Sequence, residues 1–139
     1  MLNELIIIAL AEYGETGISG PTSNRKILKY FSEIGAKWVK NDDTAWCSAF
    51  VNWVLKQANL PYSSALNARS FLNYGRKTNE AKIGDIVVLW RISKDSIFGH
   101  VGFFIKETAD LVFILGGNQN NMVNISAFKK DKVLDYRTI

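Results

Sequence analysis

Cysteine and histidine each occur once in the 139 residues, as Cys47 and His100. Cys47 lies in Trp46-Cys47-Ser48-Ala49-Phe50-Val51, at the start of a helix whose cap is Asp43 or Thr44. Unpaired backbone N–H groups and the positive end of a helix dipole favour a thiolate there, which suits a nucleophile. The same residue shares an apolar stripe with Phe50, Val51 and Val54, and free cysteine is often simply buried. His100 opens the segment Gly99-His100-Val101-Gly102-Phe103, where two glycines leave room beside the imidazole. A strand-borne imidazole of near-neutral pKa can take a thiol proton, although a lone histidine is often only a satisfied polar group. Together, a helix N-terminal cysteine followed by a strand-borne histidine is what a thiol hydrolase requires.

A third group should hold the far ring nitrogen and fix the tautomer. A hairpin centred on Ala109 places Asn118 opposite His100 on one side of a sheet. A turn one residue shorter puts Gly117 there, with Asn118 diagonal and Gln119 on the neighbouring position. Gly116-Gly117-Asn118-Gln119-Asn120-Asn121 also reads as a plain loop. Trp46, Trp90 with Arg91, and Trp53 are candidates to line a substrate cleft, against the usual core role of aromatics. The Ser48 backbone N–H is a candidate oxyanion donor with that of Cys47. Asp42 and Asp43 read as capping residues, with a substrate-ammonium role as the alternative, and Asp85 as a turn former.

These residues must be carried by helices first and strands second. Leu2, Leu5, Ile6, Ala9, Leu10 and Tyr13 fall at helical spacing, with Gly14 placed for a left-handed C-cap. Glu15 to Thr22 reads as loop. Ser23 or Asn24 caps a second helix, apolar at Ile27, Leu28, Phe31 and Ile34 and stopped by Gly35. A third runs from near Asp43-Thr44 to Asn59-Leu60-Pro61, and a shorter one occupies Ala65 to Tyr74. From Ile83 the period changes: Ile83–Ile92, His100–Lys106, Leu111–Leu115, Val123–Ala127 and Val133–Tyr136 read as strands. The expectation is an α+β fold, with helices on an antiparallel sheet of about five strands, forming one domain over residues 1–139.

Composition bounds the function. The chain is 47% hydrophobic and 22% charged, which places it among globular proteins. The longest apolar run, Leu5 to Ala11, is far short of the ~20 residues of a membrane span, and its flanking Glu4 and Glu12 do not suit a secretory signal. Synthesis in the cytoplasm and no membrane insertion are expected. One cysteine and one histidine fall short of a usual zinc ligand set, so a structural metal is not expected. A net charge of +4 without a basic stripe gives no sign of nucleic-acid binding.

Four ordered blocks resemble the NlpC-like and CHAP-like cysteine peptidases and amidases that cut peptidoglycan, above all small phage-lysin-type members. They are Trp46-Cys47-Ser48-Ala49-Phe50-Val51-Asn52-Trp53, Gly84-Asp85-Ile86-Val87-Val88, Gly99-His100-Val101-Gly102-Phe103 and Leu115-Gly116-Gly117-Asn118-Gln119, followed by Val123-Asn124-Ile125. The resemblance implies a papain-like fold, Cys47 as nucleophile, His100 as general base and Asn118 as orienting residue, with Gln119 the alternative third member. It departs from the family at Trp46, where many NlpC-like enzymes have Asp, and at Gly116, where many CHAP-like enzymes have Glu. The implied substrate is peptidoglycan, with Trp46, Ser48, Trp90 and Gln119 against it. Export by a holin-type pore or a secretion machine, and an immunity protein for an effector, are implied in turn. A catalytically silent wall-binding or interaction module of the same fold and a Cys-His acyltransferase or deamidase acting on a protein are the alternatives.

Overall fold

The computed structural model describes residues 3–18, 23–40 and 45–139. Three α-helices, α1 (Glu4–Leu10), α2 (Arg25–Ser32) and α3 (Cys47–Gln57), precede the sheet. Asn3 and Asn24 cap the first two, each side chain accepting a backbone N–H of the first turn. Gly14 and Gly35 take positive φ after α1 and α2, where a Cβ would be strained. The third helix starts at Cys47, later than expected; Asp42, Asp43 and Thr44, the expected caps, lie outside the described residues. Part of Ala65–Tyr74 is a 3-10 helix, Ala68–Asn73.

Among the described residues the antiparallel sheet has six strands, one beyond the five read from the sequence: β1 (Arg76–Thr78), β2 (Ile86–Trp90), β3 (Gly99–Glu107), β4 (Leu111–Gln119), β5 (Met122–Lys129) and β6 (Val133–Thr138). Their spatial order is β1-β6-β2-β3-β4-β5. The unforeseen strand, Arg-Lys-Thr, lies on the sheet edge and has no apolar alternation to announce it. Alternation elsewhere divides the sheet into two faces. Ile86, Val88, Val101, Phe103, Leu115 and Val123 join the helices in the main core, where α3 lies against β3 and β4. Val87, Leu89, Phe104, Val112 and Ile114 form a smaller cluster on the other face.

Two irregularities set the register that matters. The β3–β4 turn pairs Glu107 with Val112, and a one-residue bulge between Phe104 and Lys106 shifts the ladder so that Phe103 faces Leu115. Another shift falls between Gly116 and Gln119 in the pairing of β4 with β5, with Asn118 at φ +55°. Asn120 and Asn121, both at positive φ, then close the tight β4–β5 hairpin. Asparagine tolerates this conformation better than most residues, which suits a run of Asn at these positions.

Candidate active site

Cys47 is the first residue of α3, and its N-cap, Trp46, gives the helix end no side-chain hydrogen bond. The first-turn N–H groups therefore remain free for other acceptors. The β3–β4 ladder ends at Phe103 opposite Leu115, and beyond it Val101 N–H donates to the Cys47 sulfur, as does Ser48 N–H. His100, beside that sulfur, hydrogen-bonds it and is paired through its strand with Leu89 of β2. The sulfur thus lies against the backbone where β3 leaves its ladder with β4.

The far ring nitrogen is held by Gln119. Its Oε1 lies 2.9 Å from His100 Nε2. The amide orientation is fixed by what surrounds its nitrogen: Gln119 Nε2 donates to Ile114 O at 3.1 Å and to Asn124 O and Oδ1, each at 2.9 Å. An amide nitrogen facing three acceptors leaves the oxygen for the ring, so His100 Nε2 carries the proton and Nδ1 is left for the sulfur. Asn124 is held in turn, donating to Gln119 O at 2.9 Å and accepting from Ser126 Oγ at 2.6 Å. The ring itself stacks on Phe128, with centroids 5.2 Å apart.

Asn118, the expected orienting residue, does not make this contact. The bulge inserts one residue into the alternation of β4, so the side chain that meets the imidazole belongs to Gln119, while Asn118 lines the cleft. Two glycines make the substitution possible. A Cβ at Gly116 would lie 2.5 Å from Gln119 Oε1, so the absent side chain is the space the amide occupies. A Cβ at Gly117 would lie 2.8 Å from both Phe50 Cβ and the Trp46 ring, so its absence lets α3 approach the sheet. Asn124 and Ser126 escaped the sequence reading as parts of this network. Their period-two spacing with Phe128 on β5 was the available signal.

The three central residues are nearly closed to solvent: Cys47 is 6% exposed, His100 8% and Gln119 4%. Burial alone pushes the Cys47 thiol up. The hydrogen bond and charge of His100, with the N–H groups of Val101 and Ser48, outweigh it and hold the thiol below its ordinary value. Burial likewise pulls the imidazole down, but the bond to and charge of Cys47 and the bond to Gln119 raise it above its ordinary value, against the Arg91 cation. The two shifts run together, the charged form of each group being favoured by the other.

A cleft of about 500 Å³ opens on Cys47 and His100 and is walled by Trp90, Arg91, Phe128 and Lys132. Trp90 is where expected, its Nε1 donating to Asp131 O at 3.1 Å. Trp46 and Ser48, expected against the substrate, do not line the cleft. Trp46 is fully buried in the helix-side core beside Tyr30, and Ser48, also fully buried, donates its hydroxyl to Ala65 O at 2.9 Å and its N–H to sulfur. Trp53, half-buried, points away from the cleft, with Nε1 bonded to Glu33 at 2.7 Å. Asp85 shapes the turn into β2, its carboxylate accepting Lys82 N–H at 2.8 Å.

Comparison with known proteins agrees with this geometry. The crystal structure of a protein similar to an NLP/P60-family lipoprotein from Staphylococcus aureus superposes with a TM-score of 0.54 at 16% identity, over 98% of this chain and 40% of the other. The likeness is one of fold, and the chain spans less than half the length of that neighbour. No curated protein matches the chain by sequence. The CHAP domain family model matches residues 39–118, which includes Cys47 and His100 and stops one residue before Gln119. That match covers more than half of the chain, so the chain belongs to the CHAP domain family.

Proposed function

We propose that the protein hydrolyses an amide bond of peptidoglycan, in the stem peptide or its cross-link, through a covalent thioester. The carrying observation is the alignment of Cys47, His100 and Gln119 at the floor of an open cleft in a CHAP-family chain. The Cys47 thiolate attacks the amide carbonyl, and the tetrahedral oxyanion collapses as the His100 imidazolium protonates the leaving amine. A water, deprotonated by the now neutral ring, attacks the thioester and releases the acid, restoring thiol and imidazole. Gln119 keeps the proton on Nε2 throughout, so that Nδ1 faces the chemistry. Neither a metal nor a cofactor is assigned a part in this scheme.

Purified protein should release soluble fragments from sacculi, each cut creating one new amine and one new carboxylate by mass spectrometry. Cys47→Ala should abolish release with the fold intact. Full release by that variant refutes the proposal. A fixed mass change on a partner protein, with sacculi untouched, would instead assign the site to acyl transfer or deamidation. The setting belongs to the same proposal: a lysin or exported effector should lyse a Gram-negative host when directed to the periplasm and not when held in the cytoplasm, and co-expression of a cognate immunity protein should prevent lysis.

A further inference from the structure

The cleft that holds Cys47 and His100 is lined by cations. Arg91 and Lys132 both line it, and no Asp or Glu does among the described residues. Neither cation is in an ion pair among those residues. Lys132 lies with its ammonium 5.4 Å from the centroid of the Trp90 ring, and that ring is pinned through Nε1 to the backbone of Asp131, whose carboxylate does not line the cleft. Arg91 follows Trp90 directly and is close enough to His100 to oppose its protonation.

The backbone that carries Arg91 is unusual. Ser93 N–H donates to Arg91 O at 2.8 Å across a single residue, Ile92, at φ +70°. This is a γ-turn of the rare, strained hand, and it holds a β-branched residue that is 79% exposed. Arg69 braces the loop, its guanidinium donating to the carbonyls of Ser93, Lys94 and Phe98. Strain kept at a cleft edge by surrounding hydrogen bonds marks a geometry that the fold over-determines.

We infer that Arg91 and Lys132, which line the cleft together with Trp90, form an anion subsite that binds a carboxylate of the substrate next to the scissile amide. A guanidinium supplies paired donors to a carboxylate, and an ammonium held over an aromatic face supplies a second charge in a cleft that no described acid lines. The carboxylate's identity, a free acid of the stem peptide, rests on the peptidoglycan reading; the anion site itself does not.

The test uses two alkylating agents of nearly equal size, anionic iodoacetate and neutral iodoacetamide, on Cys47. The ratio of their rate constants should exceed that for free cysteine. Arg91→Gln with Lys132→Gln together should lower it about tenfold, from two screened charges within roughly 10 Å. Lys94→Gln, on the same loop but outside the cleft wall, controls for net charge and should leave the ratio as it is. A ratio within about twofold of wild type in the double variant overturns the subsite. Muropeptides with a free or an amidated carboxylate give the second arm: KM should be lower for the free acid, and the double variant should erase the difference. A lowered alkylation ratio with neither muropeptide cleaved would uphold the anion site and overturn the peptidoglycan reading. Cleavage of both with equal KM and an unmoved ratio would do the reverse.

Discussion

Replacing Gln119 by Leu keeps the volume and removes the acceptor that His100 Nε2–H uses at 2.9 Å. The acceptor serves a ring that becomes a cation, and both residues are buried, so solvent does not screen the bond. Charge-assisted bonds of this kind contribute about 1.5–3 kcal/mol, which corresponds to roughly 10- to 150-fold in kcat. A separate cost falls on the fold, because Ile114 O and Asn124 lose their donor; about 1–3 kcal/mol of stability is expected from that. The assay is fragment release from sacculi across pH, beside thermal unfolding. A purely structural role would move only the second. Gln119 raises the imidazole, so its loss should lower the folded-state value and bring the alkaline limb of the rate profile to lower pH. Gln119→Glu places an anion beside the ring and should move that limb the other way. Asn118→Gly, which suits φ +55°, should leave kcat within about threefold. If Asn118→Gly proves the more damaging of the two in kcat, or if the limb stays fixed in Gln119→Leu, the assignment is wrong.

The glycine pair should separate activity from stability. Gly116→Ala drives a methyl to 2.5 Å from Gln119 Oε1 and should approach the activity loss of Gln119→Leu in the sacculus assay, with a loss of stability no larger than that of Gln119→Leu. Gly117→Ala meets Phe50 and Trp46 in the core and should lower stability by about 1–3 kcal/mol, read as a drop of several degrees in Tm. Tyr30→Phe removes a buried bond to Glu12 Oε1 at 2.8 Å, leaving that carboxylate with Lys26 at 3.1 Å; a loss of about 1.5–3 kcal/mol is expected in denaturant unfolding, with kcat unaffected.

The order of elements was legible because hydrophobic period is set by which face is buried. The strands from β2 to β6 showed it, and α2 announced itself through Asn24 and Gly35. Cys47 and His100 were legible as single occurrences on the right kinds of element. The third residue was legible only as a choice between Asn118 and Gln119. A bulge adds one residue to a ladder, and Gly-Gly-Asn-Gln-Asn-Asn reads the same as a turn or as a bulged strand followed by a hairpin. Only pairing with β5 decides which side chain turns inward. Trp46 misled for a related reason: adjacency to the nucleophile in sequence suggested the cleft, whereas one step around the helix start points it into the core, where Gly117 makes room. Ser48 was expected as an oxyanion donor, and its N–H is engaged by sulfur instead.

Cys47 is the only cysteine in the chain, so thiolate absorbance in the ultraviolet, with Cys47→Ala as the blank, reports one group. Because the folded thiol lies below its ordinary value and the imidazole above, thiolate should already be present at pH values where free cysteine is protonated, and should be lost only on further acidification. Titrating wild type against His100→Ala should move the thiolate transition upward in the variant. A transition in wild type at or above that of free cysteine, unmoved by loss of the imidazole, would contradict the pairing on which the hydrolytic mechanism stands.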